Sequence, residues 1–385
     1  MTVTGGAAVV HPTTTRDVEL AVQDAIGARE PMAIRGAGSW QHAGASVAPT
    51  RVLSLNHLSG IVAYVPGDLT LTARAGTSLA ELSHATAAHG QWLGLDPAGH
   101  SSGTIGATIA TASSGPLSHA FGTPRDLVLG LEAVTGYGEC VRPGGRVVKN
   151  VAGFDLVRLF TGSWGTLGPI TSVSLRLRAL PVHEVTMSVA VDGQAHLGTL
   201  IAALRANTVS LLACEWIDAI TASALGVGHG TDVVLVRVGG NDAFVRGQRA
   251  RLASAGDVTV HDAGAWRAIA TLDDGASAVV RFSGAVATLP SRIARLREVA
   301  SRRSATVAMH ATISRGVVRL IVRDGVEALR ECLTSTGADE QHIAEHLPPA
   351  WWADEPDPFT GGLAGRIRDA FDPHHLCNRR QVIDA

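Results

Sequence analysis

Cysteine is scarce. Cys140, Cys214, Cys332 and Cys377 stand far apart, with no Cys-x-x-Cys pair and no Cys/His spacing suited to a metal. That argues against a self-contained zinc or iron–sulfur centre, so no metal site is predicted. Scattered thiols fit a reducing compartment, and a cytoplasmic location is the expectation. Aromatic residues make up only 4% of the chain, too few for a platform that stacks single-stranded nucleic acid. Lysine is nearly absent: Lys149 is the one lysine among 32 basic residues, a bias read first as codon usage. An excess of one charge is also lacking. The net value is −2, so no global field draws the chain to nucleic acid or anionic lipid. The N-terminus shows no basic segment leading into an apolar one, and no uninterrupted apolar run reaches the roughly 18–20 residues of a spanning helix. Membrane association is therefore expected, at most, peripherally through partners.

Against these shortages the chain is long and apolar. Its 385 residues predict two or three domains, at about 100–200 residues each. Hydrophobic residues at 46% against 17% charged support a large core and exclude wholesale disorder. Glycine is abundant, at 43 residues.

The first segment reads as alternating helix and strand. Thr14 and Thr15 are placed to cap a helix with Val18, Ala21, Val22, Ala25 and Ile26 on its apolar face, and Pro31 stops it. Met32–Ile34 is a short strand, followed by strand-like runs at 51–55, 60–64 and 69–74. Ser78 and Glu81 have capping-box spacing, which starts a helix there. Residues 96–116 are almost all small and carry regularly placed Ile and Ala, which puts them in the interior. Residues 126–134 read as a strand and 136–150 as a hairpin turning at Pro143-Gly144-Gly145. A helix at 150–160, a second glycine-rich turn at 161–168 and a strand at 170–180 follow. After Pro181 the pattern becomes strand, helix, strand. One unit runs 233–238, 242–255 and 258–261; another runs 278–282, 291–303, 305–310 and 317–322. This predicts a ferredoxin-like sheet with helices on one face.

Three glycine clusters invite a functional reading. The first, Arg35-Gly36-Ala37-Gly38-Ser39, follows a strand, and bare amides at such a turn can cradle a phosphate. It lacks the third glycine of a dinucleotide fingerprint and the Gly-Lys-Ser/Thr of a Walker loop. Taken alone, a tight turn explains it as well. The second, Gly103-Thr104-Ile105-Gly106-Ala107, is either a close-packed core helix or a surface that a large planar ligand can approach. The third, Gly162 to Gly168, has phosphate-loop spacing without the lysine, and a corner turn explains it equally.

Their joint order is more specific. RGAGS, then GTIGATIATASSGP, FGTPRDLVLG and GGRVVKNVAGFDLVRLFTGSWGTLGPI resembles the FAD-binding domain of the PCMH-type, or vanillyl-alcohol-oxidase, flavoproteins. The run Arg146–Thr171 is most similar to the GlcE-type FAD-binding subunits of bacterial glycolate oxidases. The resemblance covers residues 15–181, touches a second domain at Trp216 and Arg281-Phe282-Ser283, and reaches the tail at Phe371-Asp372-Pro373 and Asn378.

The resemblance implies an α+β fold. A two-subdomain PCMH-type FAD-binding domain spans 1–181, a ferredoxin-like α+β cap spans 182–345, and a C-terminal segment, 346–385, returns to the first domain. It places Arg35, Gly36, Ala37, Gly38, Ser39 and Trp40 around the FAD pyrophosphate. Pro97, Thr104, Gly106, Ala110 and Gly115 would lie beside the isoalloxazine and ribityl chain, and Asn150, Gly153 and Asp155 along an adjacent wall. Gly165, Gly168 and Ile170 would meet the adenine side. Ser39-Trp40 stand where tethered relatives carry a histidine, with His42 offset, so non-covalent FAD is expected. Asn378-Arg379-Arg380 departs from the family's Asn-Pro-Gly-Arg tail.

The implied activity is oxidation of a small 2-hydroxy acid by a subunit of a glycolate oxidase-like complex. Its expected partners are a larger flavoprotein subunit and an iron–sulfur subunit, since this chain has no motif to carry electrons away. Catalytic candidates are His310, Arg281 and Arg315. His310 shows no second histidine or acid at metal spacing, and a lone histidine is more often structural. Arg281 or Arg315 can pair with a substrate carboxylate, because an isolated buried carboxylate is costly. The substrate is expected against the cap sheet. Two other readings compete: an assembly subunit without turnover of its own, and a nicotinamide dehydrogenase, ranked last for want of its fingerprint.

Overall fold

The computed structural model describes residues 7–40, 43–44, 51–145, 154–206, 210–254, 256–334, 340–354 and 361–378. The chain divides into two compact units. One comprises 1–114, 123–180 and 347–385; the other comprises 115–122 and 181–346.

The first unit contains two sheets. In the smaller, Ala8–Val10, Arg51–Ser54 and Met32–Arg35 lie parallel in that order. The helix Thr15–Ala28 covers it. Thr14 accepts from the Asp17 amide at 3.1 Å, and the Asp17 carboxylate accepts from the Thr14 amide at 2.9 Å, completing a capping box. Val18, Val22 and Ala25 on this helix pack with Met32, Leu53 and Leu55. The larger sheet is antiparallel. Ile61–Val65, Thr70–Arg74, Ile170–Ala179, Val128–Val134 and Cys140–Val141 follow one another, and Gln91–Leu93 also pairs with Ile170–Ala179. Against it lies the seven-residue helix Ile105–Thr111, whose Ile105 and Ile109 are fully buried among Leu71, Val173 and Phe160. Burying such a side chain stabilises by about 1.5–3 kcal/mol, which fixes this otherwise marginal helix.

The expected hairpin turn sits elsewhere. The Val128–Val134 strand reverses at 135–139, where Thr135 donates to the Glu139 carbonyl at 3.0 Å, and returns as Cys140–Val141. Pro143 follows this return, and its carbonyl accepts from the Leu131 amide at 3.0 Å. Gly138, at φ 74°, supplies the left-handed residue this earlier turn needs. The helix expected at 150–160 is described only from Leu156 to Phe160, capped by Asp155.

The second unit is an eight-stranded antiparallel sheet. Its order is Val258–His261, His183–Val191, Asp232–Gly240, Ala213–Ile217, Thr306–Thr312, Val317–Asp324, Ala278–Ser283 and Gln341–His346. The helices Gly193–Ala206, Asp242–Ala253, Leu289–Arg302 and Glu327–Thr334 accompany it. Trp216 is fully buried, with the Arg297 guanidinium 5.4 Å from its ring centre. On the opposite sheet face, Trp266 donates to the Thr186 hydroxyl at 2.9 Å and packs with Ala213, Ile217 and Leu235. The architecture is α+β with a ferredoxin-like second unit, as the strand–helix alternation predicts.

Candidate functional site

A cleft of about 850 Å³, open to solvent, runs through the first unit. Four pieces of chain build it, and each is held by backbone geometry.

The first piece is the turn after Met32–Arg35. Ile34, Arg35, Gly36, Gly38, Ser39 and Trp40 line the cleft. Among the described residues, none of the amides from Gly36 to Trp40 donates to another backbone group. A run of unpaired amides beside an arginine is a cradle for an anionic group. The second piece is the helix Ile105–Thr111 with its cap. Thr104, Gly106, Ala107, Ala110 and Thr111 line the wall. The Thr104 hydroxyl accepts from the Ala107 amide at 3.4 Å.

Two glycines allow these pieces to approach. A Cβ on Gly36 would stand 2.2 Å from the Thr104 Oγ1, and one on Gly106 would stand 2.6 Å from the Ala75 Cβ. Gly106 also donates to the Ala75 carbonyl at 2.8 Å.

The third piece is the 161–168 turn, which is tied to the helix: Gly162 donates to the Ile109 carbonyl at 3.0 Å and Trp164 to the Ala110 carbonyl at 2.8 Å. Trp164, Gly165, Gly168, Pro169 and Ile170 line the cleft. Trp164 adopts φ 56°, a left-handed conformation uncommon for a bulky residue, and meets Trp40 edge-to-face with centroids 5.5 Å apart. The fourth piece is the tail. Asn378 lines the cleft, accepts from the Ile34 amide at 2.8 Å, and donates to the Ile34 and Trp164 carbonyls at 3.3 and 2.9 Å.

The structure therefore brings Arg35, Gly36, Gly38, Ser39, Trp40, Thr104, Gly106, Ala110, Gly165, Gly168 and Ile170 together. Ala37 and Pro97 do not line the cleft. Asp155 is spent on capping the Leu156–Phe160 helix, accepting from the Arg158 amide at 3.0 Å. Gly115 belongs to the second unit, because the segment 115–122 packs there. Asn150 and Gly153 lie outside the described residues, as do Lys149, His42, Arg379 and Arg380. Leu55, Trp164, Pro169 and Asn378 are lining residues the sequence reading did not assign. Asn378 carries a signal, the tail position at which the resemblance holds, although that motif assigns it no place in the cleft.

The second unit presents a row of ionisable groups on one sheet face. His310 pairs in register with Arg319 on the next strand, and Arg319 with Arg281 on the one beyond. Arg319 donates to Glu345 at 2.8 Å and to Asp273 at 3.0 Å. Burial alone would push the Glu345 carboxyl up. Arg319, joined by Arg281, outweighs burial and holds it below the ordinary carboxylate value. Arg281 approaches Glu345 more loosely, at 3.7 Å. His310 is not alone, as its sequence context implied. Its Nδ1 lies 2.9 Å from Oε2 of Glu215, 95 residues away in sequence and on the neighbouring strand. Arg315 donates from Nε and Nη2 to the Ser118 carbonyl at 3.2 and 3.0 Å. Burial, followed by the Arg315 charge, lowers the His119 pKa. Among the described residues no group of three or more His, Cys, Asp or Glu could hold a metal ion, and no helix is long and apolar enough to cross a membrane.

Parts of the chain are similar to known proteins. Residues 6–144 match a family described as FAD binding domain. Over 167 residues the chain is 38% identical to glycolate oxidase subunit GlcE of Escherichia coli, covering 43% of this chain and 47% of that protein. It is 33% identical over 183 residues to glycolate oxidase subunit GlcD of Bacillus subtilis, covering 47% of this chain and 38% of that one. The chain thus spans less than half the length of these curated relatives. Among solved structures, alkyldihydroxyacetonephosphate synthase aligns at a TM-score of 0.73 and 16% identity, covering 96% of this chain and 75% of that one. The 4-ethylphenol oxidase of Gulosibacter chungangensis aligns at 0.73 and 14%, covering 97% and 89%. At such identities these two show a common fold. Residues 6–144 thus match an FAD binding domain, and the chain shares the fold of these two solved structures.

Proposed function

We propose that the cleft of the first unit holds FAD without a covalent bond, and that the chain is an FAD-dependent oxidoreductase subunit acting on a small 2-hydroxy acid. The observation that carries the cofactor assignment is the run of amides from Gly36 to Trp40 that donate to no backbone group among the described residues, set against a wall that only glycine at 36 and 106 permits. The amides and Arg35 would bind the pyrophosphate. Thr104, Gly106 and Ala110 would give a flat, small-residue surface to the ring system. Gly165, Gly168 and Ile170 would flank the other end. The residues present fit the cofactor: the cleft is lined by small and apolar side chains along the Thr104–Thr111 wall and carries Arg35 at the turn. Bound FAD supplies a two-electron, hydride-accepting centre.

Two relatives named as glycolate oxidase subunits, together with D-lactate and D-2-hydroxyglutarate dehydrogenases among the other matches, support a 2-hydroxy acid as substrate. The names also support a multi-subunit assembly; the partners in this reading are a larger flavoprotein subunit and an iron–sulfur subunit. In this reading Arg281 is the cation offered to the substrate carboxylate. Its hold on Glu345 is the looser one, and Arg319 still neutralises Glu345 when Arg281 turns away.

Anaerobic addition of glycolate or D-lactate to the flavin-loaded chain, alone and with co-purified partners, tests the proposal. Bleaching of the flavin by a 2-hydroxy acid is expected. Full flavin loading and partner binding without any bleaching would instead support an assembly subunit.

A further inference from the structure

The helix Ile105–Thr111, which forms one wall of the cleft, is followed by a segment that leaves the first unit. Ala112, at φ 50°, turns the chain out of that helix in the left-handed region that favours glycine. Residues 115–122 then belong to the second unit, and the chain is back in the first from Thr123. Residues 112–114 therefore join the cleft wall to the second unit. At the far end of this link Leu117 and Ser118 are buried. The short helix Ser118–Phe121 lies against the strand Ala213–Ile217 and the turn Ile313–Arg315. Arg315 donates from both Nε and Nη2 to the Ser118 carbonyl, at 3.2 and 3.0 Å. A charged donor makes the stronger kind of hydrogen bond. The turn that carries Arg315 is itself braced. The buried Arg292, on the helix Leu289–Arg302, donates to the Gly316 carbonyl at 2.8 Å and to the Thr288 hydroxyl at 3.0 Å. A continuous path of hydrogen bonds and backbone thus runs from that helix through Arg292, Gly316, Arg315 and Ser118 to the cleft wall.

Resting on the FAD reading above, we infer that Arg315 is a positioning residue for the flavin cleft. It acts through the Ser118 carbonyl and residues 112–114 on the helix Ile105–Thr111, and FAD occupancy is thereby coupled to the docking of residues 115–122. The wall helix is tied on one side within the first unit, where Gly162 donates to the Ile109 carbonyl at 3.0 Å and Trp164 to the Ala110 carbonyl at 2.8 Å. Its exit is held only by its own last turn, in which the Thr108 and Ile109 carbonyls receive the Ser113 and Ala112 amides at 3.1 and 3.2 Å. A seven-residue helix is too short to hold its own end by propagation. Where the exit points is therefore set by where the following segment is anchored, and Arg315 supplies that anchor. The coupling is reciprocal: whatever docking of the segment does for FAD, FAD does for docking. This role differs from the carboxylate contact expected of Arg315 from the sequence, since its Nε–Nη2 edge already holds backbone.

The test uses the full chain, as apoprotein and with FAD added. In hydrogen exchange of the wild type, FAD is expected to slow the amides of Ile105–Thr111 and also those of 118–122, which bond within their own segment. In Arg315→Met the first response should persist and the second should disappear, with FAD bound roughly fivefold more weakly. Arg315→Lys, which restores a charged donor, should recover part of both. Arg319→Met is the control for loss of stability alone, because Arg319 bonds to Glu345 and Asp273 and not to Ser118. Equal losses of FAD affinity in Arg315→Met and Arg319→Met would mean general destabilisation and overturn the inference. Wild-type exchange in which FAD slows 105–111 and leaves 118–122 unchanged would also overturn it, and that result decides even if Arg315→Met does not fold. FAD binding then stands and only the coupling falls. A chain that takes up no FAD overturns the proposed function, and this inference with it.

Discussion

Asn378 reaches from the end of the described chain to the beginning of it: its side chain closes a pair of hydrogen bonds with the backbone of Ile34, 344 positions earlier, and a third with the Trp164 carbonyl. One amide thus pins the strand that leads into the Gly36–Trp40 turn to the turn that carries Gly165. Asp372 anchors the same tail, accepting from the Leu376 and Cys377 amides at 3.0 and 2.8 Å. Replacing Asn378 with Ala removes all three bonds at a cost of about 1–3 kcal/mol. Weaker FAD uptake, by tenfold or more, is expected from Asn378→Ala in a fluorescence titration of the apoprotein. Asn378→Asp keeps the acceptor but sets a carboxylate against two carbonyls, so it should do no better. Wild-type affinity in both variants would remove the tail from the site.

Gly36→Ala tests the close approach of turn and helix. The new Cβ falls 2.2 Å from the Thr104 Oγ1, with the Thr104 Cβ at 3.3 Å. The turn must shift, and flavin content of the purified protein should drop while the fold persists. Adding Thr104→Ala clears the nearest atom at the expense of a helix cap, about 1 kcal/mol. Flavin should return in the double variant. If Gly36→Ala alone retains full flavin, the wall does not depend on that glycine.

How much of this was legible in the sequence follows from what each feature demands locally. Gly36, Gly106 and Gly165 were legible because a backbone that must approach another backbone tolerates nothing larger, and that demand shows in the residue type. The capped helix at Thr15 and the strand–helix alternation after Pro181 were legible for the same reason. Glu215 was not, since its pairing with His310 exists only once Ala213–Ile217 and Thr306–Thr312 are in register. The Pro143-Gly144-Gly145 turn was misread because the turn closes earlier, at Gly138, where no proline marks it. Gly115 has a composition that fits a cofactor wall, yet its segment packs with the second unit. Composition reports tolerance of close contact and not which contact is made.

Arg319 holds the polar row together. It is 7% exposed and neutralises a Glu345 that is 6% exposed. Removing one partner of such a pair leaves an uncompensated buried charge, typically worth 3–5 kcal/mol. Arg319→Met should lose about that much in urea unfolding of the second unit's transition. Adding Glu345→Gln should recover most of it. A single variant as stable as wild type would mean the row is not load-sharing.

The stability of the protein should rise with pH across the range just below 6.5. Burial and the Arg315 charge lower the His119 pKa from its ordinary 6.5. The unfolded chain then binds a proton that the folded chain refuses, so stability is full above 6.5 and declines as pH falls from there toward the lowered value. Glu345, held below the ordinary carboxylate value, adds a loss of the same sign in stronger acid. Thermal unfolding at a series of pH values measures both. His119→Gln should flatten the upper window and leave the lower one. An unchanged slope near pH 6 in that variant would assign the dependence to another group.

The central claim is that this chain carries dissociable FAD in the cleft between Gly36 and Gly165. The most direct measurement is the visible spectrum of the purified full chain, followed by acid precipitation and analysis of both fractions. The account predicts a flavin spectrum, with FAD released wholly into the supernatant, and full reloading when FAD is added to refolded apoprotein. A folded protein that neither contains flavin nor takes up added FAD, or flavin that stays with the pellet, would contradict it.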